Sequence, residues 1–157
     1  MKTIEEVQKS ERTDELIEEL ASLWRRSVTA SHRFLSEGDI DAIEPEVRNC
    51  IRDIETLYIA RTDTGHAAGF AGVSGVRIEA LFVEAALRGT GYGSALMDRV
   101  IADAPVEFID VNEGNPNAIE FYSKKGFRVV SRSSRDDAGR PYPILHMRKS
   151  PQYGIGA

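Results

Sequence analysis

Cysteine occurs once in the 157 residues, at Cys50. One thiol can form neither an internal disulfide nor a zinc cluster, which argues for a reducing compartment. Long apolar runs are missing as well. No stretch approaches the roughly 20 residues a membrane helix needs. The opening MKTIEEVQKSERTDEL lacks the apolar centre of a signal peptide. The expectation is a cytoplasmic, unanchored protein. There is no basic excess either, since the formal charge is −5. A duplex-binding surface must be cationic to release counterions, so this balance argues against nucleic acid as a partner. No repeat, low-complexity tract or flexible linker divides the chain. What is present, 41% hydrophobic and 29% charged residues, suits one globular domain with an ordinary core. Residues 1–149 are assigned to that domain, and 150–157 (SPQYGIGA) to a frayed tail.

Periodicity places the elements. Thr13 reads as the N-cap of a first helix, with Asp14 and Glu15 in its first turn and Leu16, Ile17, Leu20, Leu23 and Trp24 at helical spacing. Ser36 to Asp39 resembles a capping box opening a second helix, which Pro45 either kinks or restarts. Short apolar runs at 56–61, 67–73, 76–83 and 106–111 read as strands. Helical patterns follow the third run (Ala95, Leu96, Val100, Ile101) and the fourth (Ala118, Phe121, Tyr122). Runs at 127–132 and 143–148 read as a closing hairpin. The helical crossover from 76–83 to 106–111 implies one parallel pair among antiparallel neighbours. The fold class is a mixed α/β single-sheet domain of about six to seven strands with flanking helices.

The strongest chemical signal is Arg88-Gly89-Thr90-Gly91-Tyr92-Gly93-Ser94 between an apolar strand and an amphipathic helix. Alternate glycines permit positive φ and clear Cβ atoms from the approach path. The helix start adds unpaired N–H groups and the positive end of the dipole, a cradle suited to a pyrophosphate. A dinucleotide fingerprint fails, because Ser94 or Leu96 stands at the third glycine position. A P-loop fails for want of a following lysine. What matches is Arg88-x-x-Gly91-x-Gly93, which resembles the acyl-CoA pyrophosphate motif of the GNAT acetyltransferase superfamily. About 25 residues on, roughly one helix plus one strand, Asn115-x-x-Ala118-x-x-Phe121-Tyr122-x-x-x-Gly126-Phe127 resembles that superfamily's second motif. Trp24 to Leu35 and Asp137 to His146 extend the likeness over nearly the whole chain, toward the YjaB-type bacterial branch.

The resemblance implies a splayed parallel strand pair with a pantetheine arm in the gap. It would pair with the backbone of Leu81, Phe82 and Val83, and amides from Arg88 to Ser94 would hold the pyrophosphate of acetyl-CoA. Asn115 would reach the pantetheine, and Tyr122 would protonate the leaving sulfur. A backbone N–H at Phe82 or Val83 could hold the oxyanion. By spacing alone Tyr122 reads as a core aromatic, one helical turn from Ala118, and it is the resemblance that turns it into the acid. Its ordinary pKa of ~10 keeps it protonated at neutral pH, beside a leaving thiol near ~8.5.

An amine acceptor must lose a proton, and two groups are candidate bases. Glu79 alternates with Arg77, Leu81 and Val83 on the strand before the loop, where it either serves as base or pairs with Arg77. His32 lies between the first two helices and either shuttles a proton or only packs. His146 is a weaker candidate, and His66 sits in a turn. Trp24, His32, Phe34 and Tyr142 are candidate walls of the acceptor pocket, Trp24 with a core alternative. Glu37, Asp39 and Asp41 either draw in a cation or merely open a solvated helix.

The function expected is acetyl transfer from acetyl-CoA to a primary amine, on a protein lysine or a small molecule, by direct attack in a ternary complex without a metal. A non-catalytic acyl-CoA-binding module and a toxin acetylating aminoacyl-tRNA remain alternatives. Homodimers are common in such families, and no residue here decides for or against one.

Overall fold

The computed structural model describes residues 2–149, so the 150–157 tail lies outside the described residues. A seven-stranded sheet runs in the order β1-β2-β3-β4-β5-β7-β6. Its strands are β1 (Thr3–Glu6), β2 (Thr56–Arg61), β3 (Ala67–Ser74), β4 (Arg77–Val83), β5 (Phe108–Asn112), β6 (Phe127–Ser133) and β7 (Ile144–Lys149). The helices are α1 (Asp14–Ser31), α2 (Glu37–Asp53), α3 (Tyr92–Asp103) and α4 (Pro116–Lys124). Among the described residues only β4 and β5 pair in parallel; every other neighbouring pair is antiparallel.

Alternation along the strands feeds two cores. Leu57, Ile59 and Phe70 face α1 and α2, where Leu20, Leu23, Trp24, Val28 and Ile51 are buried. Tyr58, Ala60, Ile109, Val111 and Met147 face the other side, against Leu96, Met97 and Val100 of α3 and Tyr122 of α4. Fully buried residues such as Leu20 and Leu96 contribute roughly 1.5–3 kcal/mol each through removal of apolar surface from water.

The helix caps form as their residues dictate. The Thr13 side chain accepts from Leu16 N–H, and Ser36 and Asp39 make a reciprocal capping box. The helix α2 continues through Pro45 without a break. Its C-terminal end is held by Arg12, which is buried. The guanidinium donates to the carbonyls of Val7, Ile51, Arg52 and Ile54, the last at 2.7 Å. Those of Ile51, Arg52 and Ile54 are orphan acceptors of a helix end and its exit, and Val7 lies just after β1.

Two features depart from the sequence reading. The strand β1 was not expected, because Thr3–Glu6 carries a single apolar residue, Ile4. It is an edge strand recruited by pairing with β2, Thr3 opposite Arg61 and Glu6 opposite Tyr58. The second departure is in β4. Val73 faces Ile78 and Gly72 faces Ala80, so Glu79 has no partner and forms a bulge. A bulge breaks the period-two rule. Ile78 and Leu81, an odd separation apart, consequently pack on the same core.

Candidate active site

The parallel ladder between β4 and β5 consists of Arg77 with Phe108 and Ile78 with Ile109. Beyond these residues the strands part. On the far side β4 stays bonded to β3, and Glu84 N–H reaches Ala68 C=O at 2.8 Å. Backbone direction alternates along an antiparallel pair, so Phe82 also turns its N–H and C=O to β3. Leu81 and Val83 are left to face the gap. The Phe82 side chain stacks against Phe70 at 5.6 Å between ring centroids. Of the two oxyanion candidates, therefore, Val83 has its amide in the gap and Phe82 does not.

A cavity of about 450 Å³ occupies this gap, an ordinary size for a small-molecule site. It traverses the sheet. Its walls include Ala118, Phe121 and Tyr122 from one face and Ser27, His32, Ala80 and Phe82 from the other. Arg88, Gly89, Tyr92, Gly93 and Asn115 line it as well, whereas Thr90, Gly91 and Ser94 belong to the same turn but stand outside the cavity wall.

Gly91 is the N-cap of α3 with φ 96°, a left-handed conformation that side chains resist. The first bond inside the helix runs from Ala95 N–H to Gly91 C=O at 3.0 Å. The amides of Tyr92, Gly93 and Ser94 therefore precede any intrahelical acceptor. Arg88 is held by α1, donating to Ser27 C=O at 2.7 Å and Ser27 Oγ at 3.1 Å. Lys2 stands over the Tyr92 ring, 4.8 Å from its centroid. Orphan amides, a Cβ-free approach and nearby cations fit a pyrophosphate, and the unpaired edge of β4 fits an extended amide chain.

Tyr122 is buried, with its ring edge-on to Phe121 and Phe127. Its hydroxyl has no hydrogen-bond partner among the described residues, and no buried polar side-chain atom there is left unsatisfied. The hydroxyl consequently opens to the cavity that Tyr122 lines. Burial raises its pKa, so it keeps its proton through the neutral range.

His32, the C-cap of α1, is half-buried. Ser31 Oγ lies 2.7 Å from its Nδ1 and donates in turn to Ser27 C=O, which assigns the proton of that contact to Nδ1. Nε2 then accepts from Asn115 Nδ2 at 3.4 Å. Asn115 caps α4 through Oδ1 to Ala118 N–H. Burial, with a lesser push from the Arg88 charge, lowers the His32 pKa to about 4. Glu79 lines the cavity from its bulge and is exposed.

Trp24 does not wall the site. It is 2% exposed and part of the α1–α2 core, because it continues the apolar stripe of its helix. Phe34 packs between His32 and Tyr142, at centroid distances of 5.4 and 5.5 Å. It lies so close over Gly114 that a Cβ there would come within 2.6 Å of its ring. Tyr142 donates its hydroxyl to Asp39, lowering the Asp39 pKa, and Asp41 pairs with Arg25. Asp39 and Asp41 thus each have a side-chain partner from outside α2.

The sequence reading passed over Asp110, which also lines the cavity. Its signal was a lone carboxylate between two buried residues, Ile109 and Val111, on a strand. Among the described residues there is no cluster of His, Cys, Asp and Glu able to hold a metal. None of their helices is long and apolar enough to cross a membrane.

The chain is similar to known proteins over most of its length. Residues 34–150 match the family described as acetyltransferase (GNAT) domain. Peptidyl-lysine N-acetyltransferase YjaB of Salmonella typhimurium is 39% identical over 130 residues, covering 83% of this chain and 89% of the relative. The solution structure of apo-form YjaB from Escherichia coli superposes with a TM-score of 0.81 at 35% identity, covering 100% of this chain and 99% of that one. A PaiA N-acetyltransferase from Thermoplasma acidophilum, solved in complex with coenzyme A, shares the fold at 18% identity. Its TM-score is 0.69, with 96% of this chain and 99% of that one covered. On the family match, the YjaB relatives and the splayed strand pair beside its glycine turn, the chain belongs to the GNAT acetyltransferase family.

Proposed function

We propose that this protein transfers the acetyl group of acetyl-CoA to a lysine side-chain amine of a protein or peptide, in a ternary complex. The observation that carries the reading is the Tyr122 hydroxyl, without a hydrogen-bond partner among the described residues, in the wall of a cavity that crosses the sheet between a glycine turn and the opposite face. The relatives' name, peptidyl-lysine N-acetyltransferase, supports the choice of acceptor.

Bound acetyl-CoA supplies the acetyl thioester. The amides at the start of α3, with Arg88 beside them, bind the pyrophosphate, and the gap-facing backbone of Leu81 and Val83 aligns the pantetheine. Asn115 borders that arm and is steadied by His32. Val83 N–H faces the gap where negative charge develops on the thioester oxygen. Tyr122 gives its proton to the leaving sulfur. Burial raises the pKa of a phenol and a thiol alike, so the shared apolar wall does not by itself oppose the transfer. Phe34 and Tyr142 stand outside the cavity wall, next to His32, and offer an aromatic flank at its mouth for a lysine stem.

A covalent acetyl-enzyme has no nucleophile in this scheme. Cys50 lies on α2, and burial raises its thiol pKa, which disfavours the thiolate. The reading places the protein in the cytoplasm, consistent with a single free thiol, and needs no second copy to complete the site.

The test is calorimetric titration with acetyl-CoA, comparing the wild type with Gly91→Glu. The new side chain brings a negative charge to the cradle and bulk to a left-handed position 3.3 Å from Lys2 Cε. Micromolar binding lost in the variant supports the site. A folded wild type that binds no acetyl-CoA refutes the proposal, and binding without turnover on any amine leaves a non-catalytic module.

A further inference from the structure

Three polar side chains stand in line across the C-terminal half of the sheet. Asp110 of β5 lies opposite His146 of β7, and Ser133 of β6, in register with Ile144, reaches His146 diagonally. His146 Nδ1 is 2.7 Å from Asp110 Oδ1, and its Nε2 is 2.6 Å from Ser133 Oγ. From the other flank, the Arg77 guanidinium of β4 reaches the same Oδ1 at 3.2 Å. Both contacts fall on one oxygen, and Oδ2 has no partner among the described residues. Asp110 also directly follows the last β4–β5 pair, Ile78 with Ile109. It therefore stands where the strands part, in the wall of the cavity that contains Tyr122.

We propose that Asp110 is the general base of the acetyl transfer, and that Arg77, His146 and, through His146, Ser133 are its positioning residues. This deepens the acetyl-transfer reading above and rests on it. Alternation turns Ile109 and Val111 into the α3–α4 core, so Asp110 faces the opposite side of the sheet from Tyr122's helix. Acid and base are thus divided between the two ends of one passage. Glu79 shares the cavity but has no hydrogen-bond partner among the described residues to orient it. His32 already accepts from Asn115 at Nε2 and sits beside Arg88.

The proton balance closes. A lysine ammonium first loses one proton to solvent. As its nitrogen bonds to the acetyl carbon the nitrogen becomes cationic and acidic, and a second proton passes to Asp110 Oδ2. The C–S bond breaks and the sulfur takes the Tyr122 proton. Asp110 and Tyr122 recover by proton exchange with water, and one proton is released per turnover. Before the chemistry, the same carboxylate attracts the cationic acceptor.

The charged groups around Asp110 are Arg77 from β4, His146 from β7 and Glu79 at the bulge. Arg148, paired with Glu107 at 3.5 Å, shares its face farther along, and the Arg132–Glu113 pair flanks the other end. His146→Ala removes the contact that fixes Asp110, so kcat is expected to fall while the KM for acetyl-CoA stays unchanged. His146→Gln keeps a donor and recovers part of the rate.

The experiment measures initial rates with acetyl-CoA and a lysine-containing peptide for wild type, Asp110→Asn and Glu79→Gln. Calorimetric affinity for acetyl-CoA and the midpoint of thermal unfolding are measured alongside. Asp110→Asn is expected to lower kcat by about 10²-fold, the usual worth of a positioned base, with affinity and midpoint unchanged. A readout independent of turnover is the NMR resonance of His146 Hε1 at one fixed pH, which moves in Asp110→Asn if the carboxylate holds the ring. Full kcat in Asp110→Asn with the loss confined to Glu79→Gln overturns the assignment of the base, and an unmoved His146 Hε1 resonance overturns the positioning role of His146; either leaves acetyl transfer standing. A wild type that binds acetyl-CoA yet acetylates no peptide removes the acetyl-transfer reading itself.

Discussion

Replacing His32 with glutamine is expected to make the protein's stability less sensitive to acid. Unfolded, the imidazole titrates near 6.5; folded, burial and the Arg88 charge bring it to about 4. Between these values the unfolded chain binds more protons than the folded one, so stability rises with pH across that window. The stability is complete above pH 6.5 and is lost as pH falls toward 4. At ~1.36 kcal/mol per tenfold change in proton affinity, the full loss is about 3 kcal/mol, of which about 2 kcal/mol is gone by pH 5. Carboxylates titrate in the same range, but they are common to both proteins and cancel in the difference. The assay is urea unfolding of wild type and His32→Gln at pH 7.5 and pH 5. The wild type should lose about 2 kcal/mol more than the variant on acidification. A difference between the two proteins that stays constant with pH refutes the reasoning, as does an NMR titration of His32 Hε1 at the ordinary imidazole value.

Two further outcomes follow from the packing. Tyr122→Phe removes only the hydroxyl that faces the cavity and keeps the ring that packs on Phe121 and Phe127. Steady-state kinetics should show kcat falling by about 10²-fold with a much smaller change in the KM for acetyl-CoA; unchanged kcat removes Tyr122 from the mechanism. Arg12→Met leaves the buried carbonyls of Val7, Ile51 and Ile54 without their donor. Urea unfolding should show a loss of about 3 kcal/mol, and a loss below about 1 kcal/mol means that water replaces the guanidinium there.

The glycine turn and the helices could be read from the chain because their determinants are local. Gly91 must take a positive φ, Thr13 and Ser36 must cap, and the apolar stripe of α1 must turn inward, whatever surrounds them. The geometry of the cavity is different in kind. The gap exists because β4 and β5 share only two residue pairs, and its backbone groups face it because one residue, Glu79, is extra in the ladder with β3. Neither the point where a ladder ends nor the place where a register slips leaves a periodic signal in a single strand. Strict alternation from Arg77 therefore set Glu79 in line with Leu81 and Val83, whereas the bulge interrupts that line. Asp110 escaped notice for a related reason. A carboxylate between two buried aliphatic residues is the ordinary pattern of a half-exposed strand, and nothing local separates it from a solvated surface residue. What distinguishes Asp110 is non-local: His146 lies 36 positions away along the chain and meets it only because β7 enters the sheet between β5 and β6. Had the closing hairpin placed β6 beside β5 instead, Asp110 would face a different strand. The choice of base thus depends on strand order, the property of this fold least visible in its sequence.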